Sequence, residues 1–407
     1  MTLEIKQRME QIENGDVPEG YKKTRIGVIP DAWEFKKLSQ LLSFKNGING
    51  EKDKFGKGVK LISVRDILSD SPIYYHTVIS QVDVTDNQLD EFGVTYGDIL
   101  FQRSSENYEE AGTSNVYLDE ENTAVFSGFV IRGKKCADYN PVYLNAVLKL
   151  PCVRKSIVRQ AAGAQHVNIG QNSIANIGVP FASLVEQQKI AEILTTQDKV
   201  IELKERLISE KQRQKKYLLQ KIFASASNYK YLEEFSVITM GQSPASSSYN
   251  ANGIGLPLVQ GNADIQQRIM CPRMYTSNPT KKCKMDDILI SVRAPVGSVA
   301  RSNRVACIGR GICAIDASKY QDYLYQFLLY YEDKWGKVSQ GSTFESISGD
   351  DIKKLHIPIV DNINQVVNLL STADREIELL QQELEQEKQK KKALMQLLLT
   401  GIVRVNI

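Results

Sequence analysis

An internal duplication is the feature that most constrains how this chain of 407 residues can fold. Short segments recur in the same order and at nearly the same spacing, so that two copies of roughly 180 residues cover almost the whole chain. The matching segments are 97–100 with 286–289, 163–169 with 341–347, 177–180 with 355–358, 194–203 with 370–379 and 218–223 with 394–399. Near the front, Leu38 and Gly47 are spaced like Leu232 and Gly241. The duplication predicts one architecture built twice.

Each copy ends in a segment with the periodicity of a long amphipathic helix. Apolar residues recur at alternating steps of three and four over 190–222 and again over 366–398. A seam this narrow favours a coiled coil, and a helix lying across the core of its own domain is the alternative. Polar residues interrupt the seam and help to fix its register. They are Gln197, Lys204, Lys211 and Lys215 in the first helix and Glu387 and Lys391 in the second.

Both helices are preceded by start signals. Ser183 and Glu186 have the spacing of a capping box, and Asn362 with Gln365 offers an equivalent before the second helix. The rest of each copy mixes predicted short strands with short helices, which predicts an α+β chain with a pseudo-twofold repeat. We expect four segments: a globular domain at 1–182, a long helix at 183–226, a second globular domain at 227–360 and a second long helix at 361–407.

The charge is small in total and unevenly distributed. The net charge is +3, yet nine lysines and arginines lie between Arg268 and Arg310, opposed in that stretch only by Asp286 and Asp287. Such an excess can neutralise DNA phosphates, and a solvated surface is the alternative. No apolar run approaches the roughly 20 residues of a membrane span, and the first residues lack a signal-peptide pattern. We therefore expect a cytoplasmic protein without membrane contact.

Motifs for catalysis are missing from the sequence. It has no phosphate-binding loop, no dinucleotide-binding fingerprint and no recognisable nuclease spacing. The tetrapeptide 140–143 is similar to the Asn-Pro-Pro-Tyr with which amino-group DNA methyltransferases hold a flipped base. Because Val142 replaces the second proline, we interpret it as a helix cap. The six cysteines lack zinc-ligand spacing, which predicts reduced buried thiols and no metal.

Loops rich in hydrogen-bonding side chains are the remaining functional candidates. Arginine can pair with guanine, and asparagine or glutamine with adenine, in the major groove. One set follows a buried strand in each copy, and another lies in the glycine-containing turn before each long helix, where packing of domain against helix is the alternative role. We predict DNA contacts for Arg65, Gln102, Arg103, Ser104, Asn107, Gln165, His166 and Asn168 in the first copy and for Gln260, Asn262, Arg293, Ser342 and Thr343 in the second.

Several short motifs occur together in this chain. They are Gly-Tyr-Lys at 20–22, Ile-Gly-Val-Ile-Pro at 26–30 followed by Trp33, Gly-Asp-Ile-Leu at 97–100, Val-Pro at 179–180 before Glu-Gln-Gln-Lys-Ile at 186–190, and Gly-Ser-Thr-Phe at 341–344 before Ile-Pro at 357–358. In combination they resemble the specificity subunits of type I restriction-modification systems. The resemblance covers essentially the full chain.

The resemblance implies a non-catalytic DNA-recognition subunit. Each globular part would be a target-recognition domain reading one half of a bipartite site in double-stranded DNA, and the two long helices would pair as an antiparallel coiled coil. Two methyltransferase subunits would dock on the helices, and motor-nuclease subunits would join them in the restricting complex. S-adenosylmethionine, ATP and Mg²⁺ would belong to those partners, with no cofactor on this chain.

Two features depart from the family pattern. Between Asp31 and Arg159 acidic residues slightly outnumber lysines and arginines, and Glu106, Glu109 and Glu110 lie inside a candidate reading loop. The second helix also begins with a looser motif than Glu-Gln-Gln. A coiled-coil scaffold that binds only proteins is the alternative from another class, and a stand-alone methyltransferase is a third; salt-sensitive DNA binding would separate the first two.

Overall fold

A computed structural model describes residues 3–49, 55–163, 166–335 and 346–406 of the chain. The chain divides into two compact units: unit 1 is Met1–Leu203 with Leu384–Ile407, and unit 2 is Lys204–Glu383. Each long helix contributes one part of its length to each unit. Within the described ranges, no helix is both long enough and apolar enough to cross a membrane.

Unit 1 contains thirteen of the described strands and parts of both long helices. Its strands are β1 (Tyr21–Thr24), β2 (Gly27–Pro30), β3 (Glu34–Lys37), β4 (Leu42–Asn46), β5 (Phe55–Ile62), β6 (Gln81–Val82), β7 (Ile99–Gln102), β8 (Ser104–Ser105), β9 (Ser114–Val116), β10 (Val125–Phe126), β11 (Val130–Lys135), β12 (Val167–Asn168) and β13 (Gly178–Phe181). Its helices are α1 (Leu3–Glu13), α2 (Val64–Ile67), α3 (Asp86–Phe92), α4 (Pro141–Leu148), α5 (Pro151–Val158), α6 (Gln171–Ala175) and the first part of α7 (Leu184–Ala224).

Two sheets form the body of unit 1. One has the antiparallel order β4-β11-β7-β9, and the other has the order β10-β5-β6 with β10 parallel to β5. Strand β7 is buried on both faces: Ile99 and Phe101 pack into the core beside α4, whereas Leu100 packs into a second core with Tyr117 and Phe126. Its continuous apolar sequence follows from this, since alternate residues of a strand face opposite sides.

Helix α4 begins at the tetrapeptide that is similar to a base-holding motif. The side-chain oxygen of Asn140 accepts a hydrogen bond from the Tyr143 N–H at 3.0 Å, and Pro141 occupies the first helical position. The interpretation of this tetrapeptide as a helix cap is therefore confirmed. The cap uses the asparagine oxygen that a base-holding loop would present to its substrate.

Unit 2 repeats this organisation with more strands in its sheets. Its strands are β14 (Asn228–Tyr231), β15 (Val237–Met240), β16 (Tyr249–Asn250), β17 (Leu256–Val259), β18 (Ile265–Gln266), β19 (Ile269–Met270), β20 (Met274–Thr276), β21 (Lys282–Cys283), β22 (Ile288–Ser291), β23 (Val299–Arg301), β24 (Ala306–Ile308), β25 (Ile312–Asp316) and β26 (His356–Ile359). Its helices are α8 (Gln321–Tyr331), α9 (Gly349–Lys353) and parts of α7 and α10 (Ile363–Leu399). The sheet orders are β15-β25-β22-β23-β19-β18 and β16-β20-β17-β24-β21.

Equivalent hydrogen bonds show the duplication in atomic detail. In unit 1 the Tyr143 hydroxyl on α4 donates to the Pro180 carbonyl on β13 at 3.2 Å. In unit 2 the Tyr323 hydroxyl on α8 donates to the Pro358 carbonyl on β26 at 2.6 Å. Both tyrosines are buried, so each bond satisfies a hydroxyl that would otherwise lack a partner in the core. The bond ties the helix of each copy to the strand that leads into its long helix.

The entry into each copy is also equivalent. The Leu38 N–H donates to the Ile177 carbonyl at 2.9 Å, and the Leu232 N–H donates to the Leu355 carbonyl at 3.0 Å. Next to these bonds, β3 pairs antiparallel with β13 and β14 pairs antiparallel with β26. The predicted fold class, with its internal repeat, is confirmed.

The long helices run antiparallel, and the polar residues that interrupt each seam pair with polar residues of the other helix. In unit 1 the Gln197 amide on α7 donates to the Glu387 carboxylate on α10 at 2.7 Å, and Asp198 pairs with Lys391 at 2.5 Å. In unit 2 the two helices are also antiparallel. Its ion pairs are Lys204 with Glu383 at 2.6 Å, Lys211 with Glu376 at 2.6 Å and Lys215 with Asp374 at 2.5 Å. Paired polar positions of this kind favour one alignment of two helices over others.

The ends of the long helices also pack into the cores of the units. Ile190 and Leu194 of α7 belong to the main core of unit 1. Leu219 and Phe223 of α7 and Leu370 of α10 belong to the main core of unit 2. The alternative of a helix lying across a domain core therefore describes the helix ends, while the coiled-coil prediction describes the pairing between them.

Candidate nucleic-acid interface

Two predicted loops of unit 1 come together although they are about 60 residues apart in sequence. Strand β8 pairs antiparallel with β12, which places Ser104 opposite Asn168. The Ser104 hydroxyl donates to the Asn168 side-chain oxygen at 2.5 Å, and the Asn168 amide donates to the His166 carbonyl at 3.2 Å. Asn168 and His166 are exposed, so the edges of this small ladder are accessible from solvent.

The topology explains why further loops lie at the same end of unit 1. Strand β10 leads through the turn 127–130 into β11, and β4 and β7 both run antiparallel to β11. Strand β5 runs parallel to β10. The carboxyl ends of β4, β5, β7 and β10 therefore meet where β11 begins. Asn49, Arg65, Arg103 and Phe129 follow these four ends.

We call this end the loop face of unit 1. It comprises Asn49, Arg65, Arg103, Ser104, Phe129, His166 and Asn168. Arg103 is half-buried, and its guanidinium donates to the Gly128 carbonyl at 3.3 Å. Arg65 is exposed and lines a cavity of about 170 Å³ together with Ser69 and Ile79.

Two of the predicted residues in this loop make hydrogen bonds within the protein. Gln102 is only 3% exposed, and its amide donates to the Ser104 carbonyl at 3.1 Å. The Gln102 side chain therefore lies inside the sheet and is not among the exposed groups at this end of unit 1. Asn107 is exposed, but its side-chain oxygen accepts the Glu109 N–H at 3.1 Å, which caps a short turn. Gln165 lies outside the described residues.

Unit 2 has an equivalent loop face. In unit 1 the Ile169 N–H donates to the Arg103 carbonyl, and Ser104 pairs with Asn168. In unit 2 the Ile347 N–H donates to the Val292 carbonyl at 3.0 Å, and Arg293 bridges antiparallel to Ser346. Arg293 is exposed there. The loop face of unit 2 comprises Gln242, Ser243, Gln260, Asn262, Arg293, Arg310 and Ser346. The predicted residues Ser342 and Thr343 lie outside the described residues.

A tight turn holds the second loop face together. The Gly309 N–H donates to the Val259 carbonyl at 2.8 Å, and the Val292 N–H donates to the Gly311 carbonyl at 2.9 Å. A Cβ on Gly311 would lie 2.3 Å from the Gln260 carbonyl oxygen, so this close approach requires glycine. Arg310 is therefore presented next to Gln260 by a turn that its neighbouring backbone fixes.

Sequence reasoning did not select Phe129 or Arg310 as contact residues. Both belong to the turn between the paired strands, at 127–130 in unit 1 and 309–312 in unit 2. The signal that could have found them is the alignment of the copies, which places Ser-Gly-Phe-Val opposite Gly-Arg-Gly-Ile. These two tetrapeptides share little composition, so the equivalence becomes visible only through their common hydrogen bonds.

The basic cluster of unit 2 is more neutralised than its sequence indicates. Carboxylates from other segments pair with four of its nine cations: Glu332 with Arg268, Asp264 with Arg273, Asp316 with Lys284 and Asp322 with Arg301. The hydrogen bond to Glu332 raises the pKa of Arg268. Within the described residues, no carboxylate lies within 4 Å of the other five, which are Lys281, Lys282, Arg293, Arg304 and Arg310.

The six cysteines form no disulfide bonds, and three of them, Cys283, Cys307 and Cys313, are buried. Burial raises the pKa of Cys283 to about 11 and that of Cys313 to about 12, so both thiols stay protonated and unreactive at neutral pH. Cys136 and Cys271 are exposed, contrary to the expectation of buried thiols. Among the described residues, no three potential ligands form a cluster that could hold a metal ion.

Comparison with known proteins identifies the family. The sequence pattern described as the type I restriction modification DNA specificity domain matches residues 30–212 and 226–389, one match for each copy. The chain belongs to the type I restriction-modification specificity subunits. A putative type I restriction enzyme MjaX specificity subunit of Methanocaldococcus jannaschii is 30% identical to it, over 95% of this chain and 97% of the relative. Like its homologues, this specificity subunit is non-catalytic.

Other relatives and solved structures agree with this assignment. The MjaVIII specificity subunit of the same archaeon is 23% identical over 52% of this chain and 50% of that protein. A chain from a structure of a type I restriction-modification system aligns with a TM-score of 0.66 at 20% identity, covering 92% of this chain and 99% of its own. The HsdS subunit from Thermoanaerobacter tengcongensis aligns with a TM-score of 0.50 at 21% identity, covering 92% and 98%. The structural likenesses show that the specificity subunit shares their fold.

Proposed function

We propose that this specificity subunit reads a bipartite DNA site, with the loop face of each unit contacting one half-site. The observation that carries the proposal is the pair of equivalent loop faces with different side chains. The two faces share the turn at 127–130 and 309–312 and the bridge before the long helix. A common frame with different exposed groups is what two different half-sites in one target require.

The exposed groups of the two faces match base edges and phosphates. Unit 2 presents Arg293 and Arg310 without a nearby carboxylate among the described residues, together with Gln260. Unit 1 presents Arg65, Arg103 and Asn168. Guanidinium and amide groups provide the paired hydrogen bonds that distinguish bases in the major groove. Because unit 1 is slightly acidic, we expect much of the phosphate attraction in the complex to come from partner subunits.

The division of labour between partners follows from the same proposal. The antiparallel helices dock two methyltransferase subunits, and motor-nuclease subunits join in the restricting complex. S-adenosylmethionine, ATP and Mg²⁺ are bound by those partners, and the complex acts in the cytoplasm. In this proposal the recognition domains are residues 1–182 and 227–360. The long helices at 183–226 and 361–407 connect them.

An exchange of recognition segments tests the proposal. Residues 28–170 are replaced by those of a relative with a different target, and the sites methylated by the complex are then sequenced. We expect one half of the methylated sequence to change and the other half to stay the same. A change in both halves, or in neither, contradicts the assignment of one half-site to each unit. If the wild-type complex showed no salt-sensitive, sequence-dependent DNA binding, the alternative of a protein-binding scaffold would be supported instead.

A further inference from the structure

The turn at the centre of the unit 1 loop face is held by three backbone hydrogen bonds. The Ser127 N–H donates to the Ile62 carbonyl at 3.0 Å, the Gly128 N–H to the Ile48 carbonyl at 2.8 Å and the Val130 N–H to the Ser127 carbonyl at 2.9 Å. These bonds connect the turn to two neighbouring strand ends as well as to itself. A side chain at its tip therefore has a fixed origin, as residues that recognise a specific atom need.

Phe129 is the side chain that this turn presents to solvent. It is 66% exposed, although its N-terminal neighbour Gly128 and its C-terminal neighbour Val130 lie against other residues. The carbonyl of Phe129 accepts the Arg103 N–H at 2.9 Å, which fixes its backbone beside a predicted base-reading residue. Single exposed apolar residues are ordinary on protein surfaces. The significance of Phe129 comes from the turn that carries it, which both copies share. In unit 2 the counterpart of Phe129 is Gly311, whose carbonyl accepts the Val292 N–H, and the exposed side chain of that turn is Arg310, one position earlier.

Two polar side chains lie against Gly128, the residue before Phe129. The Arg103 guanidinium contacts the Gly128 carbonyl at 3.3 Å. A Cβ on Gly128 would lie 1.8 Å from the side-chain oxygen of Asn49, which shows how closely that amide covers the turn. An exposed apolar ring on the same turn as a guanidinium and an amide matches the major groove at an A·T pair next to other bases, since the thymine methyl is the one apolar group that the groove exposes.

Resting on the function proposed above, we propose that Phe129 contacts the C5 methyl group of a thymine in the major groove and so selects thymine at one position of the unit 1 half-site. The contact would remove the exposed ring from water and give the acidic unit a source of specificity that does not depend on positive charge. In unit 2 the same turn would use Arg310 and hydrogen bonds for its selection.

An alternative role for Phe129 is that of a wedge, an apolar side chain inserted between base pairs from the minor groove. The charges of unit 1 favour the major groove over this alternative. Glu106 and Glu109 are exposed on the loop that begins next to Arg103. The minor groove of A·T-rich DNA has an enhanced negative potential that attracts cations and repels carboxylates. In the major groove a carboxylate can accept a hydrogen bond from the cytosine amino group. An aromatic wedge would have to bring these carboxylates towards the more negative groove.

Removal of a single methyl group from the DNA tests the proposal. The purified complex of this chain with its methyltransferase partners is titrated with its target duplex, in which each thymine of the unit 1 half-site is replaced in turn by deoxyuridine. We expect the wild-type affinity to fall about fourfold at one thymine, corresponding to about 0.8 kcal/mol for one buried methyl. Phe129→Ala should weaken binding to the unmodified duplex and should show no further loss at that deoxyuridine.

Two matched variants complete the test. Phe129→Leu keeps an apolar contact and should retain the sensitivity to deoxyuridine. Phe55→Ala removes another exposed phenylalanine of unit 1, at the amino end of β5 and away from the loop face, and should bind like the wild type. Thermal unfolding of each variant should match the wild type, because both rings are exposed.

Several results would overturn the assignment. They are a half-site without thymine, equal deoxyuridine sensitivity in wild type and Phe129→Ala, or a rise in 2-aminopurine fluorescence at a base step that depends on Phe129, which would indicate a wedge. Failure of the proposed function itself looks different, because the wild-type complex would then bind its methylated sequence no better than a scrambled duplex.

Discussion

Arg404, near the end of the chain, holds the buried carboxylate of Glu186 through two hydrogen bonds of 2.6 and 2.9 Å. The Trp33 indole N–H donates to the same carboxylate at 2.8 Å, and Glu186 is 1% exposed. The sequence predicts Glu186 as half of a capping box with Ser183. The Ser183 hydroxyl does accept the Glu186 N–H at 3.3 Å, but the carboxylate faces Arg404 and Trp33. Glu186, in the first turn of α7, therefore holds the segment that contains Arg404 against unit 1.

Replacing Arg404 by alanine should destabilise unit 1, because it leaves a buried carboxylate without its cation. We expect a loss of about 2 kcal/mol, below the roughly 3–5 kcal/mol of fully buried pairs because the arginine side chain is 39% exposed. Each unit contains one tryptophan, so denaturation in a Trp335→Phe background reports unit 1 through Trp33. Lys189→Ala, at an exposed pair with Glu192 on the part of α7 that belongs to unit 1, is the control and should change little. An equal effect of both variants would contradict the anchoring role.

Reversing the charge of Lys215 should weaken the helix seam within unit 2. Lys215 pairs with Asp374 at 2.5 Å and is 12% exposed, so Lys215→Glu places two carboxylates together with little solvent between them. We expect a loss of about 1–2 kcal/mol, since partial burial strengthens the repulsion. Adding Asp374→Lys should recover most of it, whereas the more exposed pair Lys211–Glu376 should give a smaller effect. Denaturation followed by Trp335 fluorescence in a Trp33→Phe background measures the free energy of unfolding of unit 2. A double variant less stable than Lys215→Glu would refute the pairing.

Removing the Arg310 side chain should affect recognition of the unit 2 half-site alone. A guanidinium paired with guanine contributes about 1–3 kcal/mol of discrimination, so Arg310→Ala should weaken binding to the target by roughly 5- to 150-fold and relax selection at one position. Arg304→Ala, at the connection between β23 and β24, is an exposed arginine outside the loop face and is the control. Affinity for duplexes with single base changes measures the effect. Equal weakening on all duplexes would indicate a phosphate contact instead.

Neutralising Asp98 should change how the stability of unit 1 depends on pH. Its carboxylate is buried and accepts the Thr95 and Lys135 N–H groups at 3.0 and 2.9 Å. Burial raises the pKa of Asp98 above the roughly 3.9 of an unfolded aspartate. The folded state therefore binds this proton more tightly, so its stabilising contribution is complete below about pH 4 and is lost as the pH rises through the folded pKa.

Asp98→Asn removes that titration and should be followed between pH 4 and pH 7. We expect the stability of the variant relative to the wild type to improve as the pH rises, because only the wild type then carries a buried charge. Exposed Asp70→Asn in the same unit is the control for removal of one carboxylate at the surface. A variant whose relative stability falls as the pH rises would show that the hydrogen bonds to the carboxylate outweigh burial.

Much of the frame could be derived from the sequence because it depends on local periodicity and on repetition. The heptad spacing at 190–222 and 366–398 lies within the observed helices Leu184–Ala224 and Ile363–Leu399. The seam interruptions Gln197 and Lys215 were placed correctly between the helices, since a polar residue in an apolar stripe must face a partner. The cap at Asn140 follows from the fixed geometry of a helix start.

The tertiary structure decided which side chains are buried and which distant residues come into contact. Gln102 is buried because β7 has a core on each face, and Phe129 meets Arg103 because β10 and β7 both end where β11 begins. Glu186 meets Arg404 across 218 residues of sequence. The sequence alone determined that one frame is built twice, since periodicity and duplication are properties of the chain. Which side chains converge on each loop face was decided by strand order and register, because these bring distant residues together.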